Sequence, residues 1–205
     1  MPSQTPRPSS SSRRDADPRN RATGRRPRGQ ARAALVDAAA AEFNEAGFDG
    51  TDTNRIARRA GYAPQTFYRH FRDKTEIFIE LYRRWMKDEF RQVDAASGRG
   101  PLAAARVIID HHRAYRGFRR SLRSVSLTDP TVRTARADNR RQQLALFARG
   151  PYAGLDRLSQ IALLLCIERI ADAAAEGELD DLGLSPTAQA KLLTKAIGRL
   201  ATLDG

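Results

Sequence analysis

The sequence has little cysteine, few aromatic residues and no long hydrophobic run. Cys166 is its one cysteine, so the chain cannot form an internal disulfide, and an oxidising compartment is not implied. No early apolar stretch resembles a secretion signal. The longest apolar run, Ile161 to Ile167, is far shorter than the roughly 20 residues that span a bilayer. We therefore expect a soluble cytoplasmic protein without a membrane partner.

The spacings that mark catalytic or metal sites are also lacking. The sequence contains no glycine-rich phosphate loop, no zinc-ligand spacing and no evident carboxylate pair. His111 and His112 are adjacent, so on a helix they diverge by about 100° and would not face one metal ion together. Cys166 lies in an apolar run, where a free cysteine behaves as a small hydrophobic residue. We expect no metal, no cofactor and no catalytic residue, which argues against a small helical enzyme.

Acidic residues are fewer than basic ones, 24 against 36, and the net charge is +12. This balance favours a polyanionic partner such as nucleic acid, although basic proteins are common and charge alone is weak evidence. Residues 1–28 contain eight Arg, two Asp and no branched aliphatic or aromatic residue. Such a segment cannot bury enough apolar area to offset its ordering entropy, which predicts a disordered basic tail. Its arginines are expected to add phosphate or minor-groove contacts.

Past this tail the apolar residues follow helical spacing. The inner face of a first helix is formed by Leu35, Ala39, Phe43 and Ala46. The run Val107 to Asp110 is the only strand-like stretch of the sequence and lies inside a helical pattern, so we predict an all-α protein. Asp73 is expected to cap a long helix. Gly and Pro residues separate further helices, predicted at about 101–122, 130–148, 152–176 and 186–203.

The segment Thr53 to Arg72 predicts two short helices joined by a tight turn. The first helix begins with Thr53 as its N-cap and ends before Gly61. The second begins at Pro64, because proline is favoured at the first helical position, and runs to Phe71. Two helices joined by a short turn that contains glycine form the helix-turn-helix arrangement.

The second helix separates a buried face from a polar one. Phe67 and Phe71 are one turn apart and are expected to be buried. Gln65 and Arg69 point almost the opposite way, and they are flanked by Thr66, Tyr68 and His70. Amide, guanidinium, hydroxyl and imidazole groups hydrogen-bond base edges and phosphates. An ordinary amphipathic helix with a solvated polar face would show the same pattern, so both interpretations stay open here.

The stretch from Gly47 to Phe78 closely resembles the N-terminal domain of the tetracycline-repressor (TetR) family. The matching pieces are Gly47-Phe48, Thr51, Ile56-Ala57, Ala60-Gly61, Thr66-Phe67-Tyr68, Phe71 and Lys74. The resemblance implies that the second helix is the recognition helix, that Tyr68 and Lys74 touch phosphates, and that Thr53 lies near the DNA backbone. Ala63 departs from the Ser or Thr that the family often has. Losing that cap should cost roughly 0.5–2 kcal/mol of local helix stability.

The resemblance also implies a helix-turn-helix DNA-binding domain over residues 29–75 and a helical ligand-sensing and dimerisation bundle over residues 76–205. Candidate pocket residues are Trp85, His112, Tyr115 and Phe147, each of which could instead be a core residue. The ten Arg against three Asp between Arg106 and Arg141 favour an anionic ligand or form a solvated face. A dimer interface is expected from Leu155, Leu158, Ile161, Leu164, Leu165, Leu192, Ala196, Ile197 and Leu200.

The function that these features predict is sequence-specific transcriptional regulation. A homodimer would bind double-stranded operator DNA as a repressor, and an unidentified small-molecule ligand would release it. The residues expected at the DNA are Thr53, Gln65, Thr66, Tyr68, Arg69, His70 and Lys74. The alternative is a constitutive or nonspecific DNA-binding protein without ligand control.

Overall fold

The computed structural model describes residues 28–202, and every regular element in this part of the chain is an α-helix. The all-α prediction is confirmed. In chain order the helices are α1 Arg28–Ala46, α2 Thr53–Arg59, α3 Pro64–Tyr68, α4 Lys74–Ser97, α5 Pro101–Ala114, α6 Arg116–Thr128, α7 Pro130–Phe147, α8 Arg157–Glu176, α9 Glu178–Asp181 and α10 Pro186–Leu200. The predicted disordered tail lies outside the described residues, apart from Arg28 at the start of α1.

Side-chain caps fix where the helices of the N-terminal part begin. Asp73 caps α4 as predicted, and its carboxylate accepts the Glu76 N–H at 2.8 Å. The prediction that Thr53 caps α2 is wrong. Asp52 is the N-cap, since its carboxylate accepts the Arg55 N–H at 2.8 Å, and Thr53 is the first helical residue. An aspartate fits this position well, because its charge also interacts favourably with the positive end of the helix dipole.

The helix predicted over residues 101–122 is in fact two helices. Tyr115 leaves helical geometry, with φ −117° and ψ 28°, and separates α5 from α6. Asn44 on α1 satisfies the backbone at this break: its amide donates to the Ala114 carbonyl at 3.0 Å, and its side-chain oxygen accepts the Gly117 N–H at 2.9 Å. A contact with a distant helix therefore stabilises a break that the local pattern does not reveal.

The C-terminal helices differ from their predicted bounds mainly at their starts. The helix predicted over residues 152–176 begins at Arg157, because Asp156 caps it by accepting the Ser159 N–H at 2.6 Å. In the acidic run after it, residues 178–181 form α9, and Leu179 is buried. Within residues 28–202 we find no helix that is long and apolar enough to cross a membrane.

Two clusters of buried apolar side chains hold the helices together. The first joins α1–α4 to α6 and α7 and includes Leu35, Phe43, Ile56, Phe67, Phe78, Trp85, Phe118, Leu122 and Val132. The second joins α5, α8, α9 and α10 and includes Ile109, Ala171, Leu179 and Leu193. The first cluster continues across the predicted boundary between residues 75 and 76, which falls inside α4. The division into two domains therefore stays a prediction.

Candidate functional site

Helices α2 and α3 have the predicted helix-turn-helix connection. Gly61 lies in the turn between them with φ +76°, a left-handed conformation that glycine adopts at little cost. Phe67 and Phe71 are 0% and 2% exposed and belong to the same core cluster as Ile56. The buried face that the sequence predicted for α3 is therefore confirmed.

The opposite side of α3 is open to solvent. Gln65 and Arg69 are exposed, and Tyr68 is 58% exposed, whereas Thr66 and His70 are half-buried. The helix is shorter than predicted: it ends at Tyr68, Arg69 is its C-cap, and His70 lies in the following turn. Its N-cap residue makes no side-chain hydrogen bond, as expected for an alanine at that position.

A hydrogen bond connects the first residue of α2 to the last residue of α3. Thr53 Oγ1 and Tyr68 OH are 3.0 Å apart, and either hydroxyl can be the donor. The Tyr68 ring also packs edge-on against Phe67, with the ring centroids 5.4 Å apart. Thr53 thus positions Tyr68, and two hydroxyls lie together at the exposed junction of the two helices.

Three of the five arginines in the motif are engaged in ion pairs. Arg55 and Arg59 bind the buried carboxylate of Glu42 at 2.9 and 3.2 Å. Arg72 pairs with Glu76 at 3.2 Å. These arginines secure α2 to α1 and the loop after α3 to α4, so a part of the local positive charge is neutralised within the fold.

The other two arginines, Arg58 and Arg69, are exposed. Neither has an ion pair within residues 28–202. A guanidinium without a carboxylate partner keeps all its donors for a phosphate or a base edge. Arg69 is among the residues predicted from the sequence to lie at the DNA, and Arg58 is not. The sequence feature that could have pointed to Arg58 was its position on the arginine-rich α2.

Lys74 is half-buried, and its ammonium group is engaged in contacts within the fold. Its ammonium donates to the backbone carbonyls of Phe48 at 2.7 Å and Thr51 at 3.0 Å, and it lies 4.1 Å from the centroid of the Phe48 ring. Two of its three N–H donors hold the loop between α1 and α2, which leaves one for a phosphate.

A cavity of about 480 Å³ opens among α4, α5, α7, α8 and α10, within the size range of small-molecule sites. Three of the four predicted pocket residues line it, namely Trp85, His112 and Phe147. Tyr115 does not line it. The helix break turns this residue toward the first core cluster, where its ring lies 5.3 Å from that of His111.

Several further residues line the cavity beside the four candidate pocket residues. The cavity wall also contains Met86, Glu89, Phe90, Asp94, Tyr152 and Glu168. Glu89 and Phe90 lie about one turn beyond Trp85 on α4, so helical spacing from Trp85 was the available signal. Tyr152 packs edge-on against Phe147, with the centroids 5.0 Å apart, and precedes α8 in a loop whose position depends on the tertiary structure.

The arginines between residues 106 and 141 are largely neutralised. Arg119 is 2% exposed and binds both carboxylate oxygens of Asp172 at 3.1 Å. Arg136 and Arg140 bind Glu168. The remaining pairs nearby are Arg120–Glu176, Arg123–Glu176 and Arg123–Asp172. Of the arginines in this stretch, only Arg119 lines the cavity, so the arginine excess does not form a basic wall.

These pairs change the pKa values of the buried carboxyl groups. Burial alone would raise the pKa of Glu168, but the Arg140 hydrogen bond and the Arg119 charge outweigh burial and lower it. The pKa of Asp172 falls well below its usual range for the same kind of reason. Both groups are thus carboxylates at neutral pH.

Comparison with known proteins identifies the N-terminal part of the chain. Residues 35–81 match the family model described as bacterial regulatory proteins, TetR family. The chain is 32% identical over 114 residues to an uncharacterized HTH-type transcriptional regulator from Haemophilus influenzae. That alignment covers 52% of this chain and 56% of the relative, so the chain spans little more than half the relative's length.

The fold extends the likeness to the whole described chain. A protein from Rhodococcus sp. assigned to the TetR family of transcriptional regulators has a TM-score of 0.69 at 16% identity, covering 85% of this chain and 100% of that one. The multidrug binding protein EbrR, solved in complex with imidazole, has a TM-score of 0.63 at 20% identity, covering 82% and 93%. Through its helix-turn-helix segment, this chain is similar to the TetR family of bacterial regulatory proteins.

Proposed function

We propose that this protein is a DNA-binding transcriptional regulator in the cytoplasm, that it binds operator DNA as a homodimer, and that a small molecule in the cavity releases it. The observation that carries the proposal is the solvent-exposed face of α3. There Gln65, Tyr68 and Arg69 stand on a helix whose other side is fixed by the buried Phe67. A short rigid helix with polar groups on its free side suits entry into a major groove.

Arg69 is the residue whose loss should most directly affect operator recognition. Arg69→Ala is expected to weaken operator binding by about 1–3 kcal/mol and to relax preference at one base pair. The operator is first selected from a random DNA pool, and affinity is then measured at fixed salt. Arg149→Ala removes the same charge from an exposed position at the end of α7 and should leave affinity nearly unchanged. Equal affinity of wild type and Arg69→Ala would contradict this role.

The dimer proposal is supported by apolar side chains that α8 and α10 expose. Leu158 is 76% exposed, Leu165 45% and Leu192 37%, whereas Leu164 and Leu193 on the same helices are buried at 3% and 0%. Each helix thus offers one apolar face to its own core and another outward. Two such helices from each chain would form a four-helix interface, and half-sites would lie about one DNA turn apart, ~34–36 Å.

Leu165→Glu is expected to convert the dimer to a monomer, because it introduces a charge into the centre of that face. Sedimentation at micromolar concentration measures the change. Leu127→Glu is the matched control, since Leu127 is 78% exposed on α6, a helix that is not part of the proposed interface. A wild-type chain that sediments as a monomer would contradict the dimer itself.

Ligand control is supported by two helices, α4 and α6, that connect the cavity to the N-terminal helices. α4 lines the cavity with Trp85 and Glu89, while its first turns bury Ile77 and Phe78 in the core cluster that contains α2 and α3. α6 lines the cavity with Arg119 and contacts α1 through Asn44. A ligand that favours one arrangement of α4 and α6 would alter DNA affinity by its differential affinity for the two states.

Constitutive or nonspecific DNA binding is the second candidate, favoured by the eight arginines of residues 1–28. The two candidates differ in salt dependence and competition. Unlabelled operator and unlabelled scrambled DNA would displace a nonspecific binder from labelled operator equally well. A specific regulator would stay bound to the operator in the presence of scrambled competitor DNA.

A further inference from the structure

The charged groups on the cavity wall are mostly acidic. Three carboxylates line the cavity, those of Glu89, Asp94 and Glu168, against the one guanidinium of Arg119. Glu168 and Arg119 are already neutralised by ion pairs with residues that do not line the cavity. The charge left to face a ligand therefore comes from Glu89 and Asp94 on α4.

Glu89 is incompletely satisfied. Its Oε1 atom lies 3.2 Å from His112 Nε2, its side chain is 14% exposed, and this buried oxygen has no aligned hydrogen bond within residues 28–202. His112 Nδ1 is already 2.8 Å from Asp172 Oδ1. A cation in the cavity would give the Glu89 carboxylate a second partner beside His112.

Asp94 lies five residues further along α4 and is exposed. It lines the cavity and has no ion pair within the described part of the chain. Placed on the solvent-facing side of the cavity, its carboxylate would attract a positive charge during entry. Glu89, which is mostly buried, and Asp94, which is exposed, thus lie at different depths in the cavity.

Most of the other residues on the wall are apolar or aromatic. Trp85, Phe90, Phe147, Tyr152 and Met86 contribute to it. Aromatic faces attract cations through their quadrupole, and the indole ring of Trp85 already holds the Arg119 guanidinium 4.7 Å from its centroid. An aromatic wall with carboxylates differs from the basic wall that the arginine count of the sequence favours.

We propose that the cavity binds a hydrophobic organic cation, with its aromatic or alkyl groups against Trp85 and Phe147 and its positive charge toward Glu89 and Asp94. This inference rests on the proposed function, since it names the ligand class of the same cavity. It replaces the anionic ligand expected from the sequence, because the arginines behind that expectation are neutralised by Asp172, Glu168 and Glu176.

Two probes of nearly equal size and shape and opposite charge test the proposal. Tetraphenylphosphonium is a hydrophobic cation and tetraphenylborate is the matching anion. Calorimetry on the full chain without DNA is expected to give one cation per chain, bound at least tenfold more tightly than the anion, a difference of about 1.4 kcal/mol. Absence of cation binding, or equal or tighter binding of the borate, would overturn the proposal.

Three variants locate the charge. Glu89→Gln is expected to weaken cation binding about tenfold and Asp94→Asn several-fold, each with little effect on the borate. Asp181→Asn, an exposed position on α9 that does not line the cavity, should change nothing. Asp94 is exposed, so its variant tests the proposal even if Glu89→Gln alters folding. Unchanged cation affinity in Asp94→Asn and in a folded Glu89→Gln protein would contradict the assignment.

DNA binding is measured separately, so that the two proposals can fail independently. Release from the selected operator by saturating tetraphenylphosphonium supports both the ligand class and ligand control. Retention of operator affinity, with cation binding intact, would contradict ligand control while the charge preference of the cavity still holds.

Discussion

Asp172→Asn is expected to destabilise the fold by about 3–5 kcal/mol, because it leaves the buried Arg119 guanidinium without its carboxylate. Asp172 is 5% exposed and Arg119 is 2% exposed, so the pair is largely removed from solvent. His112 would lose the same carboxylate. Urea unfolding monitored by circular dichroism measures the difference in the free energy of unfolding.

The matched control is an exposed ion pair. Asp138 pairs with Arg141 one turn along α7, and the two side chains are 52% and 63% exposed. Asp138→Asn is expected to change the free energy of unfolding by less than about 1 kcal/mol. Similar losses in both variants would contradict the view that burial gives the Asp172 pair its importance.

The effect of Asp172 should also depend on pH. Burial alone would raise its pKa, but the hydrogen bond with His112 and the Arg119 charge hold it well below its usual range. A carboxyl group with a lowered pKa in the folded state contributes stability above its ordinary pKa of 3.8 and loses that contribution as the pH falls further. The difference between wild type and Asp172→Asn is therefore expected to be full near neutrality and to shrink in acid.

Gly117→Ala is expected to separate α6 from α1. A Cβ atom at residue 117 would lie 2.0 Å from the Asn44 carbonyl oxygen and 2.8 Å from its carbonyl carbon, and the backbone of α1 cannot yield as a flexible side chain would. Alanine normally stabilises a helix over glycine by about 0.5–1 kcal/mol. Here overpacking should reverse the sign and destabilise by about 1–3 kcal/mol.

The same change should disturb DNA binding, because α1 packs beneath α2 and α3 in one core cluster. Gly98→Ala is the control: Gly98 has φ −62° and nothing within 4 Å of an added Cβ, so the variant should be as stable as wild type. Thermal unfolding and operator affinity are measured for both. A stable Gly117→Ala protein with unchanged DNA affinity would contradict a tight contact between α6 and α1.

Local sequence features predicted the structure correctly where it depends on residues a few positions apart. The spacing of Phe67 and Phe71 identified the buried face of α3, Gly61 marked the turn, and Asp73 marked the start of α4. Each of these depends on helix geometry, capping or backbone freedom within one or two turns. The choice between Asp52 and Thr53 as the cap of α2 depended on one residue of register, which sequence patterns resolve poorly.

The sequence by itself determined the all-α class, the helix-turn-helix and the polar residues of α3, because these follow from periodicity and turn chemistry. Only the tertiary structure decided which charges are free. Arg119 and Asp172 are 53 residues apart, and Lys74 reaches the Phe48 carbonyl across 26 residues. Such pairs form when distant helices pack together, and no local pattern encodes them. For this reason the arginine count suggested a basic cavity, whereas the packed helices leave it lined by carboxylates and aromatic rings.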